Sequence, residues 1–196
     1  MAAPDKPEEA PLPPAAASPP PYLAVLDVVL RFLVFASAVV AVVVMVTSKQ
    51  EEFVSVQIPN VPTPRTVLRP AKFNHSPAFI YFVAALSTAG LYSIITGLVS
   101  LLALAKPGCS TKLFVHIIVL DVLMLGIVAA ATASAGAVAY IGLKGNSHVG
   151  WSKICNIYDK FCRHIGASVF VALFASVLLA YVVILSAYSL SKRIPK

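Results

Sequence analysis

Four long apolar runs separated by polar connections organise this chain, at about residues 23–47, 78–105, 113–143 and 165–190. A helix rises 1.5 Å per residue, so about 20 apolar residues cross the ~30 Å hydrocarbon core of a bilayer. Every run meets that length, and the third is long enough to tilt or project. The pattern predicts an all-α membrane protein, a four-transmembrane-helix bundle over residues 23–191, with a short tail at 192–196. Four crossings put both termini on one side. The first connection, 48–77, is the longest; the second, Lys106 to Lys112, is tight; the third spans 144–164. Within the first, the alternation of Phe53-Val-Ser-Val-Gln-Ile58 predicts a short strand. Pro59, Pro62, Pro64, Pro70 and Pro77 break regular structure around it.

A second pattern lies inside the runs. Small residues recur every fourth position: Ala85, Ala89, Ser93 and Gly97 in the second span; Gly126, Ala130 and Ser134 in the third, beside Ala129, Ala133 and Ala137; and Ser168, Ala172, Ser176 and Ala180 in the fourth. Stripes of this kind let membrane helices approach closely. They serve packing within one bundle, or contact between two.

Residues 1–22 are rich in proline and alanine and predict a solvated, disordered or polyproline tail. The tail carries Asp5, Glu8 and Glu9, and the run after it exceeds the 7–15 residues of a signal-peptide core. The first run therefore reads as a retained helix.

Composition agrees with the membrane class: 12% of residues are charged, against about 25% in soluble domains. The net charge of +7 is spread over the connections, with no basic block interleaved with aromatics, which argues against nucleic-acid binding. No HExxH, GxSxG, phosphate-cradling glycine loop or metal-spaced His/Cys group occurs. Hence no catalytic, metal-ligating or cofactor-binding residue is assigned.

Two charges interrupt the apolar spans. Arg31 and Asp121 each lie about eight residues into a span that starts on the terminal side. An unpaired charge at such depth costs roughly 2.5–3.5 kcal/mol on insertion scales. Equal depth on helices running the same way makes an ion pair geometrically natural, with a guanidinium fork suited to a carboxylate. Asp27, one turn before Arg31, shares its helix face. The pair reads as a structural lock between spans one and three; the alternative is the coupling site of a small channel or transporter. The spans offer few further polar groups for a pathway. His116 points about 140° away from Asp121 around the helix.

Orientation does not follow from cations alone, with six on the terminal side and eight opposite. Cys155 and Cys162 share the third connection. They are either free thiols or a disulfide, which needs an oxidising compartment and would place that connection outside and both termini in the cytosol. Cys109 sits in the opposite connection, an inert thiol or a palmitoylation candidate. Asn74-His-Ser76 is a weak glycosylation candidate, because Pro77 follows it.

Together these features resemble the Casparian strip membrane protein-like (CASP-like) family of plants, over about residues 22–193. The arginine in span one, the aspartate in span three, the stretch from Gly145 through Trp151 and Cys155 to Cys162, and the ending Leu185 to Arg193 carry the likeness. The resemblance implies a tetraspan plasma-membrane protein related to the MARVEL group. It implies a non-enzymatic scaffold that forms homo- and hetero-oligomers with itself and related members, contacts membrane lipids and gathers secreted wall-modifying enzymes. The segment Ile58-Pro-Asn-Val-Pro-Thr-Pro-Arg65 differs from the first loop of the strip-forming members, which points to a paralogue acting elsewhere.

Overall fold

A computed structural model describes residues 21–56, 63–105 and 111–193. The proline-rich tail, Cys109 and the middle of the first connection lie outside the described residues. The chain runs through α1 (Pro21–Thr47), β1 (Lys49–Val56), β2 (Arg65–Lys72), a 3-10 turn (Phe73–His75), α2 (Pro77–Ala105), α3 (Thr111–Lys144) and α4 (Asp159–Arg193). All four helices are long and apolar enough to span a membrane. The four-span fold is thus as the apolar pattern predicts.

Local chemistry sets the helix ends. Pro21 and Pro77 open α1 and α2, where a missing N–H costs nothing and the fixed φ suits the first turn. Ser48 stops α1: its hydroxyl and its N–H both donate to Met45 O, at 2.6 and 3.2 Å. Gly145 ends α3 in the left-handed region at φ 68° and donates its N–H to Ile141 O at 2.7 Å. A Cβ there would lie 2.7 Å from Trp151 O, so only glycine fits.

Two elements depart from the sequence expectation. The fourth helix starts at Asp159, six residues before its apolar run, so Cys162 sits on a helix rather than in a loop. Hydropathy marks where a helix leaves lipid, not where it ends; Asp159 in the first turn and Gln50 Oε1, which accepts the Phe161 N–H at 2.9 Å, support the polar extension. The predicted strand is longer at its start and has a partner. Lys49 pairs with Lys72 and Val56 with Arg65 in an antiparallel hairpin. Pro70 does not break β2, because a two-stranded sheet has only edge strands, where a proline is tolerated.

The helices form a ring in which α1 packs on α2 and α4, and α3 packs on the same two. The core is built from small and medium side chains one or two turns apart. Val34, Ala38, Ala41 and Met45 meet Phe82, Leu86 and Ala89, and then Val128, Ala135, Ala172 and Leu179. Ser168 Oγ donates across the core to Ala41 O at 2.7 Å, fixing the depth of α4 against α1. α1 starts and α4 finishes at one end of the bundle, the terminal end; the β-hairpin lies at the opposite, hairpin end.

Candidate functional site

Arg31 lies ten residues beyond Pro21, and Asp121 ten residues beyond Thr111. Both therefore sit about 15 Å along their helices from the terminal end. Although α1 and α3 are diagonal in the ring, their side chains meet at its centre. Arg31 Nη1 and Nη2 donate to Asp121 Oδ1 and Oδ2 at 3.0 and 2.8 Å, a bidentate fork. The arginine is 3% exposed and the aspartate fully buried.

Neighbours complete the arrangement. Arg31 Nε donates to Asp27 Oδ2 at 3.0 Å, and Nη1 also reaches Thr96 Oγ1 at 2.9 Å. Thr96 Oγ1 in turn donates to Tyr92 O at 2.8 Å. Tyr92 OH lies 2.7 Å from Asp121 Oδ1 and 3.2 Å from Ile117 O. Ser100 Oγ donates to Asp27 Oδ2 at 2.8 Å. One polar atom, Asp27 Oδ1, is buried without a partner among the described residues.

The geometry follows from spacing. Asp27 and Arg31 are one turn apart on α1; Tyr92, Thr96 and Ser100 are each one turn apart on α2. Antiparallel packing sets Ser100 beside Asp27 and Thr96 beside Arg31. Gly97 packs beside Arg31: a Cβ on it would lie 3.8 Å from Arg31 Cβ, an ordinary van der Waals contact. Each ion is desolvated but bonded, the condition under which a buried charge persists.

The sequence reading assigned α2 only a stripe of small residues and missed Tyr92, Thr96 and Ser100. Their four-residue spacing in an apolar span was the available signal. The spans thus hold more convergent polar groups near Asp121 than expected. His116 is not among them; it is exposed, with Nδ1 3.1 Å from Lys112 O.

The small-residue stripes divide. Ala85, Ala89 and Ser93 are buried in the bundle with Gly97 half-buried; Ser168, Ala172 and Ser176 are buried with Ala180 half-buried. On α3 the stripe does not face the bundle core. Gly126 and Ala130 are exposed, a Cβ on Gly126 would meet nothing within 4 Å, and Ser134 is half-buried. The inward face of α3 is Val128, Ala131 and Ala135, rotated from that stripe. Only 11% of the α3 span is buried, against 33–39% for the others.

At the hairpin end, Cys155 and Cys162 form a disulfide with Cα atoms 5.6 Å apart. Two hydrogen bonds dock the hairpin on the segment it closes: Gln50 Oε1 with Phe161 N–H, and Tyr158 OH donating to Arg69 O at 3.0 Å. Asn74 is exposed in the 3-10 turn just before α2. Among the described residues, no three His, Cys, Asp or Glu converge to hold a metal ion. A groove of about 250 Å³ between α1 and α2, bordered by Phe35, Ala38, Leu86 and Gly90, is apolar, and neither Arg31 nor Asp121 lines it.

Comparison with known proteins supplies the lineage. The model of a family described as the Casparian strip membrane protein domain matches residues 21–178. CASP-like protein 1D1 of Vitis vinifera is 60% identical over 171 residues, covering 87% of this chain and 80% of the relative. CASP-like protein 1D2 of Glycine max is also 60% identical, covering 87% and 85%. CASP-like protein IN26 of Ipomoea nil is 58% identical over 179 residues, 91% of each chain. No solved structure matches.

Proposed function

The chain belongs to the Casparian strip membrane protein domain family, and from that premise we propose that it is a non-enzymatic plasma-membrane scaffold. In this reading both termini are cytosolic, and copies associate with one another and with related members into stable membrane domains. Secreted wall-modifying enzymes gather at the opposite face. Arg31 and Asp121 are its internal brace.

One observation carries the reading: Arg31 and Asp121 are consumed by each other. The carboxylate of Asp121 is forked by Arg31 and capped by Tyr92, with no exposed surface. A transport site needs a group that can exchange its partner for an ion or proton. The described groove is lined by neither charge. The small-residue stripe left on the outside of α3 supports self-association, since small faces allow close helix approach in lipid. The disulfide supports an oxidising compartment at the hairpin end, hence cytosolic termini.

Fluorescence recovery of the tagged protein in plant cells tests the scaffold. The expected result is a large immobile fraction in discrete domains, with oligomers retained in mild detergent. Rapid, complete recovery together with monomers only would contradict it.

A further inference from the structure

The loop between α3 and α4 is held more firmly than a connection requires. Gly142 O accepts both Ile154 N–H and Cys155 N–H, at 2.9 and 3.1 Å. Asn146 and Trp151 exchange two backbone hydrogen bonds of 2.9 Å, and His148 N–H donates to Asn146 Oδ1 at 3.0 Å. Gly145 and Gly150 both take positive φ, at 68° and 69°. The disulfide ties the far side of the loop to α4. Yet this frame turns large apolar groups outward: Val149, Trp151, Ile154 and Ile157 are 57, 56, 50 and 44% exposed.

Burial in lipid does not account for them. Gly145 lies 24 residues beyond Asp121 along α3, a rise of about 36 Å. That exceeds the ~30 Å hydrocarbon core, and a 20° tilt shortens it only to about 34 Å. Asp121 is itself inside the core, so the loop emerges on the aqueous side. Its surroundings are basic. Residues 144–164 hold Lys144, Lys153, Lys160 and Arg163 against the single carboxylate of Asp159. Asp159 faces Arg163 at 4.0 Å, which leaves the three lysines to set the sign of the rim.

We infer that this loop is a preformed docking surface for a protein partner that offers an apolar pocket inside an acidic rim, with Trp151 as the anchor. Rigid aromatic and aliphatic centres ringed by charge are the anatomy of protein interfaces, and preorganisation lowers the entropy cost of binding. Charge complementarity selects the partner: the same loop of a second copy would set lysines against lysines. The inference rests on the scaffold reading for its biological setting, but it does not require self-association, so either can fail without the other.

Trp151 is the single tryptophan of the chain, so its fluorescence in nanodiscs built with a tryptophan-free scaffold protein reports on this surface alone. Aqueous iodide should quench it several-fold more than caesium, and brominated phospholipid should quench it little. A photo-crosslinking residue at 151, in source membranes, should then capture a partner. That partner, purified, should shift the emission of the nanodisc protein. The combined K144E, K153E and K160E substitutions should weaken the interaction at least ten-fold, and the corresponding glutamine variants should weaken it less. Dominant quenching by brominated lipid would make the loop a membrane anchor and overturn the proposal. Capture of a second copy only, no capture, or binding unchanged by charge reversal would each overturn it as well.

Discussion

Near the terminal end, Asp27, Thr96 and Asp121 bond the Arg31 guanidinium while Tyr92 and Ser100 bond its two carboxylates; these side chains come from α1, α2 and α3, and none of them from α4. At the hairpin end the fastening is different in kind. There a disulfide, a two-stranded sheet, a left-handed glycine and backbone hydrogen bonds tie α4 to α3 and to the hairpin. Ser168 links the two systems by holding α4 to α1 midway. The difference follows from solvent. Inside lipid, hydrophobic burial gives helices little reason to choose each other, so charge and hydrogen bonding specify the arrangement. Outside lipid, covalent and backbone constraints can do so without desolvating an ion.

Removing one charge should break the terminal end most severely. Arg31→Leu leaves Asp121 buried without a counter-charge, for an expected loss of about 3–5 kcal/mol, measured as unfolding free energy in bilayer discs; Asp121→Leu, which leaves Arg31 its bond to Asp27, should cost less. Replacing Cys155 and Cys162 by serine should cost about 2–3 kcal/mol. The change should appear first as faster hydrogen exchange over residues 49–72, because both bonds that dock the hairpin land on the disulfide-closed segment. Exchange that rises equally in α1 and α2 would show that the ends are not separable.

Gly145→Ala forces a side chain into the left-handed region and against Trp151 O, for about 1–2 kcal/mol. Its effect should stay at the hairpin end, read as altered Trp151 fluorescence without loss of helix content. Tyr92→Phe removes one hydroxyl from Asp121 and should cost about 1 kcal/mol in the same unfolding assay. Gly126→Ala, with open space where its Cβ would go, should leave monomer stability within about 0.5 kcal/mol. A drop in oligomer content with that variant would identify the α3 stripe as a contact between copies.

The terminal end was partly legible from the residues alone. Two charges at equal depth on helices running the same way are a geometric statement that survives into the structure. The α2 contribution was not read, because tyrosine, threonine and serine hide in an apolar average unless their four-residue spacing is sought. The outward rotation of the α3 stripe was also illegible: a small-residue repeat fixes a helix face, but not which way that face turns. At the hairpin end, the cysteine pair was visible but the α4 start was not. Apolar runs mark lipid, and the polar first turns of α4 lie beyond it. Pro70 suggested a break where an edge strand had room for it.

The account turns on Arg31 and Asp121 acting as a single structural element. A double-mutant cycle of Arg31→Leu and Asp121→Leu, read as unfolding free energy in bilayer discs with liposome ion flux measured on the same variants, tests this most directly. The account predicts that the double variant loses clearly less than the sum of the singles, with a coupling of at least about 1 kcal/mol, and that no variant changes flux from the empty-liposome level. Additive losses, or a wild-type flux that Asp121→Leu abolishes while stability is kept, would contradict it.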